Sequence, residues 1–250
     1  MKPKINILIR TSQRPKFFKD CINSIFQQTY ENIKLIICID DPKSRPYVEM
    51  YRDYIEKKYP DSVIVAVDRI PKNPDSYKVW QGLNLYHAPY NMYFNDMHTL
   101  CDEGYIMYLD DDDMFIDRKA LQIISDKIAE DTKTMLMWRV LFPDRIIPSP
   151  DNLGRIVAGD ISGIGFAYPV EYKEHGSWDD YSFCDFRVIS KLATHLEIKT
   201  IDKVLTGIQG TSNIGGLGNR IDKSEKPKSA NAFKKNNEVK DNKDEPTRED

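Results

Sequence analysis

Tyr105-Ile106-Met107-Tyr108-Leu109 is an unbroken apolar run that ends directly on Asp110-Asp111-Asp112-Asp113. Five apolar residues without polar alternation read as a strand buried on both faces, the kind found in a parallel sheet. Three largely apolar runs, each rich in isoleucine or valine, precede it at residues 5–9, 33–39 and 63–67. Between the first two, Pro15 can open a helix on which Phe18, Cys21, Ile22, Ile25 and Phe26 recur at helical spacing. Pro46 opens another after the second run, with Val48, Tyr51 and Ile55 on one face. Strand and helix alternating in this way predict an α/β domain built on a doubly wound, mostly parallel sheet with right-handed crossovers. Ligands in such sheets bind beyond the carboxyl ends of the strands, which is where the four aspartates fall.

Further along, residues 135–142 and 161–168 read as strands, 181–192 as a helix and 198–205 as a last strand. They predict a mixed-sheet extension of the same single domain, which is expected to span residues 1–218. From Asn219 onward Lys, Asn, Asp and Glu dominate and Phe233 is the only aromatic. Burial there cannot offset the entropy of ordering, so 219–250 reads as a disordered charged tail. The glycine-dense run 207–218, with Gln209, Ser212 and Asn213, reads either as a loop that folds over a bound ligand or as a flexible exit into that tail.

Composition narrows the function classes. The chain has 250 residues, 40% of them hydrophobic and 11% aromatic, enough for one sizeable core. A formal net charge of −3 supplies no basic field, which argues against a nucleic-acid partner. Cys21, Cys38, Cys101 and Cys184 lack Cys-x-x-Cys spacing and read as reduced core residues. The apolar run after Met1-Lys2-Pro3-Lys4 is interrupted by Arg10 too soon for a signal peptide, and no stretch of eighteen apolar residues occurs. The expected location is the cytoplasm, with peripheral membrane association left open. His87, His98, His175 and His195 share no metal spacing and read as surface or structural residues.

The acidic run carries the chemistry. In an extended segment Asp110 and Asp112 would point to one side and Asp111 and Asp113 to the other, so an Asp-x-Asp pair could present two hard oxygen ligands to Mg²⁺ or Mn²⁺. The same run is also what a solvated turn capping the following helix would contain. An EF-hand loop counted from Asp110 fails, with Phe115 at its glycine position and Leu121 at its glutamate position.

With these residues in view, the chain resembles the inverting, nucleotide-sugar-dependent glycosyltransferases of family two, which have the GT-A fold. The resemblance rests on 5–15 with Thr11 and Arg14, on Ser24 to Asn32 with Gln28 and Tyr30, on 34–41 ending in Asp40-Asp41, and on 105–113. Asn95 lies fifteen residues before Asp110, matching an asparagine that precedes the family's metal motif, and Trp178-Asp179-Asp180 resembles its catalytic acid pair.

On these positions the resemblance implies that Thr11 begins the loop lining the nucleobase and that Arg14 is that loop's arginine. Asp41 would accept a hydrogen bond from a uracil imide. Asp110 would lie by the ribose or the metal, Asp112 would be the direct metal ligand, and Asp111 or Asp113 would support it. Asp180 would be the general base, with Asp179 next in line. The implied cofactor is Mn²⁺ or Mg²⁺. The implied partners are a nucleoside diphosphate sugar, first of all a uridine diphosphate sugar, and a hydroxyl acceptor on a glycan, glycolipid or glycoprotein. Two departures stand out. Phe94-Asn95 replaces the usual Arg-Asn, leaving Lys78 and Arg69 as candidates to meet the diphosphate, and Ser12-Gln13 removes the aromatic of the usual Tyr-Asn-Arg. A sugar-nucleotide pyrophosphorylase would need a glycine-rich loop after the first strand, and 10–15 contains no glycine. A non-catalytic sugar-nucleotide or glycan-binding module would keep the pocket but have no use for a second, remote acid pair.

Overall fold

The apolar run at the start of the chain forms β1 (Ile5–Thr11), two residues longer than predicted because its pairing with the next strand continues to Thr11 opposite Ile39. The computed structural model describes residues 2–66, 77–80, 83–130 and 133–209. The expectations for Val67, Arg69, residues 210–218 and the tail 219–250 lie outside these, as does the side chain of Lys78. After β1 come α1 (Pro15–Phe26), β2 (Ile33–Ile39), a 3₁₀ turn over Pro42–Ser44, α2 (Arg45–Lys58) and β3 (Val63–Ala66). A separate antiparallel hairpin of β4 (Tyr77–Trp80) and β5 (Leu83–Tyr86) leads through a 3₁₀ turn at Pro89–Met92 into α3 (Tyr93–His98) and β6 (Tyr105–Tyr108). The remainder is β7 (Asp113–Phe115), α4 (Ala120–Glu130), β8 (Thr134–Leu141), β9 (Ile146–Ile147), β10 (Phe166–Pro169), α5 (Cys184–Leu192) and β11 (Glu197–Ile208).

The main sheet runs β3-β2-β1-β6-β10-β8-β11-β7, with β9 on β8. Its first four strands are mutually parallel. β10 lies antiparallel to both β6 and β8, β11 runs parallel to β8, and β7 runs antiparallel to β11. This is the predicted α/β architecture, a mostly parallel half with a mixed extension. The chain winds outward from β1 through β2 and β3, then returns to β6 on the other side of β1. That reversal opens a crevice beyond the carboxyl ends of β1 and β6, the place where such sheets bind ligands.

Both faces of the parallel half are covered, which explains why its strands show no polar alternation. Ile7, Ile9, Leu35 and Ile37 pack beneath Phe18, Ile22 and Ile25 of α1. Leu8, Ile36, Ile106 and Tyr108 face Phe94 and Met97 of α3 and Val188 and Ile189 of α5. All four cysteines are buried and unbridged. Gly104, at φ +83°, lets the chain enter β6 tight against β1, since a Cβ there would lie 2.1 Å from the Lys4 carbonyl oxygen.

Three expectations are corrected. The strand foreseen over 161–168 is confined to β10, because Gly165 N–H closes a turn on the Ser162 carbonyl at 3.0 Å. The helix foreseen from Tyr181 starts at Cys184, since Phe183 is left-handed at φ +57° and Tyr181 pairs with His87 in an isolated bridge. The aspartates are not extended. Asp113 N–H reaches the Asp110 carbonyl at 2.9 Å, forming a turn that breaks the predicted alternation of their side chains. Among the described residues no helix is long and apolar enough to cross a membrane.

Candidate active site

The turn sorts the four aspartates into three and one. Asp110, Asp112 and Asp113 each offer a carboxylate oxygen within 4.8 Å of the others. Closely spaced hard oxygens of this kind fit Mg²⁺ or Mn²⁺. Their spacing is stabilised locally, because the Asp110 backbone N–H donates to Asp113 Oδ2 at 3.0 Å. Gln209, just past β11, donates its backbone N–H to the Asp112 carbonyl at 2.7 Å and its Nε2 to the Asp113 carbonyl at 2.9 Å. Burial, with Asp112 and Asp110 beside it, pushes the Asp113 carboxyl well above the ordinary range. A cation at the triad would reverse that shift.

Asp111 points the other way, into the loop after β1. Its fully buried carboxylate accepts from Thr11 Oγ1 at 2.7 Å and Ser12 N–H at 3.1 Å, and it pairs with Arg14. Burial pushes this carboxyl upward against the opposing pull of Arg14. Arg14 and Asp111, both assigned to the ligand from sequence, are thus paired with each other inside the scaffold, and Arg14 also reaches Asp112 at 3.0 Å. Thr11 Oγ1 shares a hydrogen bond with Tyr47 at 2.8 Å. Gln13 is left-handed at φ +54° and donates Nε2 to Asp41 Oδ2 at 2.6 Å, while Asp41 Oδ1 accepts Lys43 N–H at 2.8 Å. The Gln13 Oε1 is buried and finds no hydrogen-bond partner among the described residues.

On the other side of the triad lies a cavity of about 320 Å³, lined among others by Arg10, Asn91, Phe94, Asp110, Asp112, Asp113, Trp178 and Asp185. Asn95 does not face it as a ligand group. Its amide clamps the Trp178 peptide, accepting N–H at 2.8 Å and donating to the carbonyl at 2.8 Å, which ties α3 to the acid-pair segment. Asp179 is held bidentately by Arg187 at 2.6 and 2.5 Å. Burial raises its carboxyl, but the Arg187 hydrogen bonds and charge outweigh this and leave it below the ordinary range. Asp180, with 43% of its side chain exposed, places Oδ2 2.9 Å from His87 Nε2. Asn91 connects this segment to the triad, donating Nδ2 to the Tyr181 carbonyl at 2.9 Å while its Oδ1 accepts from Arg10 at 3.2 Å.

Three participants escaped the sequence reading. His87 stood among scattered histidines with no local signal of a partner 93 residues away. Asp185 sits in the first turn of α5 as an ordinary helix-start acid, and burial raises its carboxyl. Arg10 did carry a signal: a charge directly after the apolar run Ile7-Leu8-Ile9 falls at the sheet's ligand edge. Its guanidinium pairs with Asp110 of the turn, while Arg69 and the side chain of Lys78 lie outside the described residues.

The mostly parallel sheet, with its switch point beside the acidic turn, is an α/β fold shared with solved structures. S. aureus TarS 1-349 matches with a TM-score of 0.63 at 15% identity, covering 82% of this chain and 60% of that one. Its complex with UDP-GlcNAc matches with a TM-score of 0.63 at 15% identity, over 85% and 59%. The mannosyltransferase PcManGT from Pyrobaculum calidifontis, in complex with GDP-Man and Mn²⁺, matches with a TM-score of 0.62 at 12% identity, over 85% and 58%. The chain thus spans about three fifths of the length of these structures. No protein-family model matches the sequence, and no curated protein does.

Proposed function

We propose that this chain is a metal-dependent, inverting glycosyltransferase that moves a sugar from a nucleoside diphosphate to a hydroxyl on a glycan, glycolipid or glycoprotein, acting in the cytoplasm. The observation that carries the reading is the triad of Asp110, Asp112 and Asp113 at the β1/β6 switch point, opening on a cavity with further carboxylates nearby. A divalent ion held by these three residues would supply positive charge where the departing diphosphate gathers negative charge. Thr11 and the buried Asp111–Arg14 pair hold the loop of the nucleobase side in place, and Gln13 with Asp41 form an amide–carboxylate pair suited to a base edge. Asp41 already accepts two hydrogen bonds, so an imide would share that carboxylate with Gln13. Uracil and guanine edges both suit such a pair, and the similar structures hold UDP-GlcNAc in one case and GDP-Man in another.

In the transfer, the acceptor oxygen forms a bond to the anomeric carbon as the bond to the diphosphate oxygen breaks. The electron pair leaves with the diphosphate, and the hydroxyl proton passes to a carboxylate. Asp180 is the proposed base, held by His87. Asp179 is tied to Arg187 and is left to brace the segment. A second reading places the base at Asp185, favoured because this carboxylate lines the cavity with the triad. The test is calorimetric titration of uridine and guanosine diphosphate sugars with Mn²⁺ and after chelation, followed by assay of nucleoside diphosphate release. Binding should be much weaker after chelation. Equal affinity with and without metal would remove the metal from the reading.

A further inference from the structure

Arg10 is the charged group at this site that the transfer scheme leaves unused. Its side chain is 11% exposed and lines the cavity together with Asp110, Asp112 and Asp113. The guanidinium takes both oxygens of Asp110, Nε at 2.8 Å and Nη2 at 2.5 Å. Nη1 donates to the Tyr90 carbonyl at 3.0 Å and to Asn91 Oδ1 at 3.2 Å, and the group lies 4.1 Å over the Phe94 ring. Arg14 differs, because it is spent on Asp111 and Asp112 and does not line the cavity.

One carboxylate of the triad is therefore already held bidentately by a cation that faces the ligand space. A divalent ion entering the triad competes with this guanidinium for Asp110 and is repelled by its charge at short range. A diphosphate relieves the competition, since phosphate oxygens offer a planar guanidinium an equivalent bidentate partner. We propose, on the basis of the metal and diphosphate reading above, that Arg10 is a resident counter-ion. It holds Asp110 in the free protein and passes to the donor's diphosphate, so that metal and donor bind as a coupled pair. Arg10 is then a positioning residue for both, and the coupling must be reciprocal.

The experiment titrates Mn²⁺ alone, and then UDP and GDP with Mn²⁺ or with chelator, into the full chain, Arg10→Gln and Asp110→Asn, each checked by thermal melting. Without nucleotide, Arg10→Gln should bind Mn²⁺ at least about ten-fold more tightly than the wild type, and nucleotide should enhance its metal affinity less. Asp110→Asn, whose Arg10 is released, should bind the nucleotide about ten-fold more tightly than the wild type in chelator. A folded Arg10→Gln whose affinity for Mn²⁺ alone is unchanged or weaker overturns the proposal. Should that variant not fold, unchanged nucleotide affinity of Asp110→Asn in chelator overturns it instead. A wild type that binds neither UDP nor GDP with Mn²⁺ refutes the glycosyltransferase reading, whereas nucleotide binding by the wild type with no change in Arg10→Gln refutes only the counter-ion.

Discussion

Arg14→Met separates scaffold from ligand-binding group at the position where sequence and structure place the same arginine in different roles. In the structure the Arg14 side chain is 8% exposed and pairs with Asp111, which is 0% exposed, and with Asp112 at 3.0 Å. Removing one partner of a buried ion pair leaves an uncompensated charge and costs about 3–5 kcal/mol. Thr11 Oγ1 and Ser12 N–H still solvate Asp111, which favours the lower end of that range. For a domain of this size, with a urea m-value of about 2 kcal/mol per molar, the unfolding midpoint should fall by about 1.5–2 M. Adding Asp111→Asn removes the stranded charge, so the double variant should recover at least about 2 kcal/mol of coupling in a mutant cycle. Urea denaturation followed by far-ultraviolet circular dichroism reads both. An unchanged midpoint in Arg14→Met, accompanied by a large loss of nucleotide affinity, would refute the scaffold assignment and return Arg14 to the ligand.

Asp180→Asn should lower transfer by about 10² to 10⁴ while sparing nucleotide and metal affinity, whereas Asp112→Asn should weaken nucleotide binding itself. Near-normal transfer in Asp180→Asn together with loss in Asp185→Asn would move the base to Asp185. His98, buried against Tyr108 at 2.7 Å, has its imidazole lowered by burial from 6.5 to about 4. A lowered histidine favours the fold fully above the unfolded value, and that contribution is lost as pH falls. Stability should therefore decline by about 3 kcal/mol between roughly pH 6.5 and 4. His98→Gln should flatten that slope in denaturant titrations at successive pH values, and an unaltered slope would place the acid sensitivity elsewhere.

The parallel half of the sheet was legible from residues alone, because strands covered on both faces need near-continuous isoleucine and leucine, and the helices between them need a single apolar stripe. The position of the acidic turn was legible for the same reason, since the last apolar residue of β6 locates the sheet edge. The short elements were not. α3 and β7 are too brief to show a period, and the helix at 181 lost its first turn to a bridge with His87, which no local pattern announces. Within the site, sequence determined which residue types crowd the edge but not which way they face. A single turn hydrogen bond from Asp113 to Asp110 overrode strand alternation and set Asp111 apart from its three neighbours. Only the tertiary structure could pair Arg10 with Asp110, Asp180 with His87 and Asn95 with the Trp178 peptide. Each of these contacts spans more than eighty residues of chain and depends on how strands and helices from both halves converge at one crevice.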